Sequence, residues 1–432
     1  MRHLAPGTNN GKLHGAFRRA GLFAAFFSFV CLRPVGAITE SFDRLRPKDL
    51  ENLDEKATHS QINGLPVDLI FDTGCGYPML LPEACVKRLG IGMAKAIPDD
   101  PNPIPGLPKM GLTESCNIQV LGTHIEKGPL LVARHLAENS EGKSDFDGVL
   151  GWPALRGQST YFFLAEGEFG LLLTPMPTEV ASWGKFPIVE PGNILSLVVA
   201  SDSRGVHRIV VDTGDVGGVS LPPDQWQEWK ASHPAARTTL RFDDTFKDRH
   251  NCSEELWADT FIVGQLEIDN VPIGEAGTLF KAAPGEKIIV FGIAALKRMN
   301  LILDGPHHMA YACGSSAPAP PYSHNRIGAM FIIPGNDRRA ALVAMVVPGG
   351  PAAAAGLQDG DVLSKIEGRD IPNWDAYANL LKGWGNWNIP AGTKVSFTVR
   401  RGDKVIKITV VAKNILGPAA GAAAAVQKPA PG

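Results

Sequence analysis

The sequence predicts a mostly β protein built from two similar lobes related by pseudo-twofold symmetry, followed by a smaller α+β domain. Three observations carry that expectation. The triplet Asp-Thr-Gly occurs at Asp72 and again at Asp212, each time after a run of apolar residues. The surroundings of the two triplets repeat at matching spacing. After Cys313, the stretch "GSSAPAPPYSHN" reads as a stiff linker, beyond which strand-like and helix-like patterns alternate.

The chain has 432 residues, enough for two or three domains. Its 42 Lys and Arg balance 44 Asp and Glu, so no polyanion or nucleic-acid partner is implied. Residues 1–37 have the pattern of a signal peptide: Arg18 and Arg19 precede the apolar run Ala20 to Leu32, and Val35-Gly36-Ala37 offers small residues for cleavage. Export to a periplasmic or extracellular space is the expected outcome. The apolar run is 13 residues long and short for a bilayer span, which leaves an N-terminal membrane anchor as the weaker alternative. Loss of Cys31 with this segment would leave five of the six cysteines, an odd number. One or two disulfides can then form, with at least one thiol left over. No Cys-x-x-Cys or His cluster suggests a metal site, and no cofactor is called for.

The two lobes are expected at 38–175 and 176–312. Each opens on a hairpin pattern, "QINGLPVDLIF" around Asn63-Gly64 and "LSLVVASDSRGVHRIVV" around residues 202–205. Each then reaches its Asp-Thr-Gly, runs six residues, and continues with Leu81-Pro82 or Leu221-Pro222 and a short helical stretch. Further on, "VLGWPAL" and "VFGIAAL" share their Val, Gly, Ala and Leu. Gly151 follows Asp72 by 79 residues and Gly292 follows Asp212 by 80. A duplication of this kind packs about a twofold axis, which brings equivalent residues together. Asp72 and Asp212 should therefore face each other.

Two carboxylates in one small site do not both ionise cheaply, so one keeps its proton while the other is charged. The charged member can take a proton from a water held between them as that water attacks a peptide carbonyl; the protonated member donates to the developing oxyanion. Thr73 and Thr213 can bond across the axis, while Gly74 and Gly214 allow close backbone approach. On these motifs, residues 40–312 resemble aspartic peptidases of the retropepsin-like type, with both lobes in one chain. The resemblance implies that Asp72 and Asp212 are the catalytic acids, and that Val149-Leu150-Gly151 and Val290-Phe291-Gly292 cross beneath their loops.

Two positions depart from that family's pattern. Where Ser or Ala usually follows the triplet, this chain has Cys75 and Asp215. A third carboxylate would raise the apparent pKa values of the pair, and oxidation of Cys75 would disturb its loop. The flap hairpins that cover such a site should lie in "NPIPGLPKMGLTESCNIQV" and "TTLRFDDTFKDRHNCSEELW", of which only the first has the expected Gly and Pro content. The rival for a lone triplet is a turn cap, and for "VVDTGDVGG" an actin-like phosphate loop. The duplicated context favours the dyad over both. A peptide-binding scaffold that no longer cleaves is the alternative from another functional class.

Residues 313–325 are the linker and 326–413 the last domain, which resembles a bacterial PDZ domain through "AGLQDGDVLSKIEG". That resemblance implies a loop of backbone N–H groups for a peptide C-terminal carboxylate, at Ile327, Gly328, Ala329 and Met330, with the strand from Met330 to Ile332 pairing the peptide. The helix near Trp374 to Leu381 would form the other wall. Arg326 is either a carboxylate partner or a solvated loop charge. Polypeptide substrates and C-terminal peptides are the implied partners. Residues 414–432 are low in complexity and expected to be disordered.

Overall fold

The structure, a computed structural model, describes residues 58–418 except 95–109, 121–122, 134–145, 173–175, 203–204, 244–250, 278–285, 319–320 and 336–338. The expected signal peptide and most of the expected disordered tail lie outside the described residues. Among the described residues, no helix is long and apolar enough to cross a membrane.

The chain is mostly β, with two lobes related by pseudo-twofold symmetry and an α+β domain after them. In the first lobe, the hairpin Thr58–Ile62 and Leu65–Asp72 turns through Asn63 and Gly64, both at positive φ, as an Asn-Gly hairpin requires. The strand ending at Asp72 then runs parallel to Gly148–Gly151, with Asp72 opposite Gly151. Met79–Pro82 pairs with the far side of Gly148–Gly151, antiparallel.

The second lobe repeats this arrangement. Gly205–Val211 runs parallel to Glu286–Phe291 with Val211 opposite Phe291, and Val219–Leu221 pairs antiparallel with the same strand. These central strands are covered on both faces, which is why they read as unbroken apolar runs: Ile209, Val210 and Val211 are fully buried. The helices Glu83–Arg88 and Pro223–Ser232 follow Leu81-Pro82 and Leu221-Pro222 as their prolines predict.

The lobes are joined by a shared sheet. Ser159–Phe163 and Glu168–Leu171 form a hairpin that pairs with Met299–Asp304, and that strand continues through Met309–Gly314 to Gly184–Val189. One hydrophobic core spans both halves, with Leu69 and Leu150 from one and Ile209 and Phe291 from the other. A rigid base therefore underlies the two aspartate loops.

The last domain is a five-strand path with helices Pro351–Ala354 and Trp374–Gly383 around Phe331, Tyr377, Trp387 and Phe397. Gly360 sits at φ 85°, which explains the Asp-Gly-Asp turn, and Arg401 clamps Asp361 with two bonds of 2.7 Å. The expectation of disorder from residue 414 needs correction at its start. His324 accepts the N–H groups of Ile415 and Leu416 at 3.1 and 3.2 Å, and Leu416 is buried. A satisfied backbone and one buried side chain hold these residues in place.

The disulfide expectation also changes. All five described cysteines, Cys75, Cys85, Cys116, Cys252 and Cys313, are free thiols.

Candidate active site

The two Asp-Thr-Gly loops meet. Thr73 Oγ1 donates to the Val211 carbonyl at 2.6 Å and accepts the Thr213 N–H at 3.0 Å. Thr213 does the same in reverse, donating to the Phe71 carbonyl at 2.6 Å and accepting the Thr73 N–H at 3.0 Å. Each threonine thus bonds to the residue preceding the other lobe's aspartate, and both are buried. Four bonds between two short loops fix their separation.

This clasp sets the carboxyl groups of Asp72 and Asp212 within hydrogen-bonding reach of each other. Gly74 N–H donates to Asp72 Oδ1 at 2.8 Å, and Gly214 N–H donates to Asp212 Oδ1 at 3.0 Å. The same glycines press against the opposite acid. A Cβ on Gly74 would lie 2.6 Å from Asp212 Oδ1, and one on Gly214 would lie 2.7 Å from the Asp72 carboxyl carbon. Only a residue without a side chain fits there. Gly151 and Gly292 have a parallel role below: a Cβ would run into the Tyr77 carbonyl or the Gly217 carbonyl.

The site is open on one side. Asp72 is half-buried and Gly214 exposed, whereas Asp212 is 7% exposed. The apolar side chains of Tyr77 and Val216, five and four residues beyond their aspartates, are exposed.

Burial raises the pKa of Asp72, against a lowering influence from the Asp212 hydrogen bond and the loop N–H groups. Burial raises Asp212 further, well above the ordinary carboxylate range, and the neighbouring charges of Asp72 and then Asp215 add to it. Burial and the mutual repulsion of two charges keep one proton in the pair.

The two departures from the repeated pattern have distinct surroundings. Burial, with the nearby dyad charges, pushes the Cys75 thiol up to about 11, so the thiolate that oxidation requires is scarce at neutral pH. Asp215 accepts from Gly217 N–H at 2.8 Å and from Arg241 Nη2 at 2.7 Å. Arg241 escaped the sequence reading because its contact with Asp215 crosses 26 residues of chain and has no local pattern. With Gly214 and Gly217 N–H groups both taken by carboxylates, the phosphate-loop alternative loses two of its donors. Among the described residues, no group of three or more His, Cys, Asp or Glu is placed to hold a metal ion.

The flap expectation changes sides. Part of the first candidate falls in 95–109, outside the described residues. Its strands Met110–Leu112 and Cys116–Val120 pair with other strands, not with each other. Hairpin geometry belongs to the second candidate: Thr238–Asp243 pairs with Asn251–Val263, with Phe242 opposite Cys252. Its Gly-poor sequence concealed it.

In the last domain, Ile327, Gly328, Ala329 and Met330 lie together on one loop and strand, with Gly328 turning at φ 67°. All four are buried. Arg326 is half-buried and not a fully solvated charge. Its Nη1 donates to the Ile389 carbonyl at 2.9 Å within the same domain.

Residues 342–401 match the PDZ domain family. The chain is 38% identical over 105 residues to the magnetosome formation protease MamE of Paramagnetospirillum magneticum, a match covering 24% of this chain and 13% of that protein. It is 34% identical over 83 residues to a Brucella suis protein provisionally named a zinc metalloprotease, covering 19% of this chain and 20% of the relative. The chain thus spans no more than a fifth of the length of these curated relatives. Among solved structures, an aspartic proteinase from Irpex lacteus aligns with 61% of this chain and 95% of its own at 13% identity and a TM-score of 0.39.

Proposed function

We infer that this chain is an exported aspartic endopeptidase that hydrolyses peptide bonds at the Asp72/Asp212 dyad and carries a peptide-recognising PDZ domain. The observation that carries the reading is the mutual clasp of Thr73 and Thr213, which has no purpose in a pair of ordinary turn caps but fixes two carboxyl groups around one proton.

In this mechanism the two lobes, proposed at 38–175 and 176–312, each contribute one acid. A water sits between the carboxyl groups. Asp72, ionised, takes a proton from that water as its oxygen bonds to the peptide carbonyl carbon. Asp212 gives its proton to the carbonyl oxygen, leaving a neutral tetrahedral intermediate. Asp72 then passes the proton it took to the amide nitrogen, and the C–N bond breaks as one hydroxyl of the intermediate returns its proton to Asp212, which leaves the pair with its single shared proton. The dyad mechanism itself uses no metal or cofactor. Gly74 and Gly214 N–H groups stabilise the charged form of whichever acid is ionised. Substrates are polypeptides, and the exported location rests on residues 1–37 of the sequence.

The test is cleavage of a mixed peptide library between about pH 4 and 7, where a shared-proton pair acts, by the parent chain and by Asp72→Asn in the presence of a metal chelator. Cleavage by the parent that survives chelation and disappears in the variant supports the dyad. Silence of the parent across that range favours a peptide-binding scaffold. Loss of parental activity to the chelator points to metal chemistry.

A further inference from the structure

The peptide groove of the PDZ domain lies between the strand Ala329–Ile332 and the helix Trp374–Gly383, and in this structure it is filled from within the chain. Both strands of the Thr238–Asp243 and Asn251–Val263 hairpin of the second lobe contact the strand Ala329–Ile332. Leu240 is 2% exposed and belongs to the PDZ core, and Phe242 and Cys252 pack against that core. The Phe242 ring lies 5.3 Å from that of Trp374, the first residue of the helix.

The polar groups that a peptide would use are also occupied. Asn325 Oδ1 accepts the Ile327 and Gly328 N–H groups at 3.0 and 3.1 Å, standing where a carboxylate oxygen would. Its Nδ2 donates to the Ala329 carbonyl at 3.0 Å, and the Phe331 N–H donates to the Tyr377 hydroxyl at 3.1 Å. Asn325 is held in turn by the hairpin, since Thr239 Oγ1 donates to its backbone carbonyl at 2.7 Å.

We propose that the second-lobe hairpin is the resident occupant of the PDZ groove, and that a polypeptide with a free C-terminal carboxylate and an apolar last side chain displaces it and thereby loosens the Arg241–Asp215 contact beside the dyad. The link is a single strand. Leu240 and Phe242 point to the groove, while Arg241 between them reaches Asp215 at the dyad loop. A ligand that removes Phe242 from Trp374 therefore also loosens the counter-charge of Asp215. By reciprocity, whatever holds Arg241 on the catalytic loop keeps the groove shut. Occupancy by the hairpin reduces apparent affinity for an incoming peptide by the fraction of molecules that are closed. Coupling to catalysis rests on the aspartic-peptidase reading; groove occupancy does not.

The test uses the full chain and a pool of octapeptides ending in Val, Leu, Ile or Phe with free carboxylates, beside the same pool amidated. Phe242→Ser is expected to bind the free-carboxylate pool at least about tenfold more tightly than the parent, because the competing side chain no longer fills the groove. Thr239→Val, a milder change that frees Asn325, should shift affinity in the same direction. In the unaltered chain, saturating peptide should speed amide hydrogen exchange in 238–243 and 251–256. Equal affinity in parent and variants, binding by none of them, or slower exchange in those segments on peptide addition overturns the proposal. Faster peptide-bond cleavage with the free-carboxylate pool than with the amidated pool supports the coupling, and an unchanged rate overturns it. An absence of cleavage under every condition counts against the aspartic-peptidase reading, while the binding and exchange results decide occupancy.

Discussion

Thr73 and Thr213 each donate a hydroxyl to the carbonyl just before the other's aspartate, at 2.6 Å in both directions, so that neither Asp-Thr-Gly loop can move without breaking a bond in its partner. Thr213→Val keeps the side-chain shape and removes the hydroxyl, leaving the Phe71 carbonyl and the Thr73 N–H unpaired. The expected loss is about 2–5 kcal/mol of stability, from two buried polar groups left without partners. Thr213→Ser, which retains the hydroxyl, should stay within about 1.5 kcal/mol of the parent. Denaturant unfolding of the three chains makes the comparison.

Gly74→Ala would set a methyl group 2.6 Å from Asp212 Oδ1. The carboxyl group has to move aside, and displacement of a reacting group by about 1 Å lowers turnover roughly 100-fold. Folding is expected to survive, because the clash falls on the Asp212 side chain and not on backbone. Steady-state cleavage rates together with a thermal melt separate the two effects.

The raised pKa of Asp212 carries a stability consequence. An unfolded Asp titrates near about 4, so below that pH the group is protonated in both states and imposes no penalty. As pH rises through the higher folded value, the unfolded chain has already released its proton and the folded chain is destabilised. Asp212→Asn does not titrate. Its stability relative to the parent should therefore grow as pH rises from about 4 to 7, measured as the difference in unfolding free energy at each pH.

Asp215 adds a negative charge beside Asp212, and Arg241 partly offsets it. Asp215→Asn removes the repulsion and leaves the cation, and both changes favour ionisation of the pair. The alkaline limb of the cleavage profile should move to lower pH by about half to one unit. An unmoved limb would mean that Asp215 is electrostatically disconnected from the dyad.

Much of this was legible in the sequence because duplication repeats local chemistry. The two triplets, the two Leu-Pro helix starts, and the glycines at 151 and 292 all map onto equivalent positions. What escaped depends on contacts between distant segments that leave no pattern along the chain. The hairpin of 159–171 gives no sign that it pairs with Met299–Asp304, and the strand Thr238–Asp243 gives none that Arg241 serves a different site from its neighbours Leu240 and Phe242. Asn325 looks like linker polarity until its amide is seen bonded to the Ile327 and Gly328 N–H groups. The odd cysteine count constrained pairing without indicating that all five described thiols are free.

The central claim is that Asp72 and Asp212 act as one acid–base unit, and kcat/KM for a cleaved peptide across about pH 3 to 8 reads it most directly. A bell-shaped profile in the parent, with a fall of about 10⁴-fold or more in both Asp72→Asn and Asp212→Asn, is the predicted result. A variant that keeps the parent's rate, or a rate in the parent that does not depend on pH over that range, would contradict it.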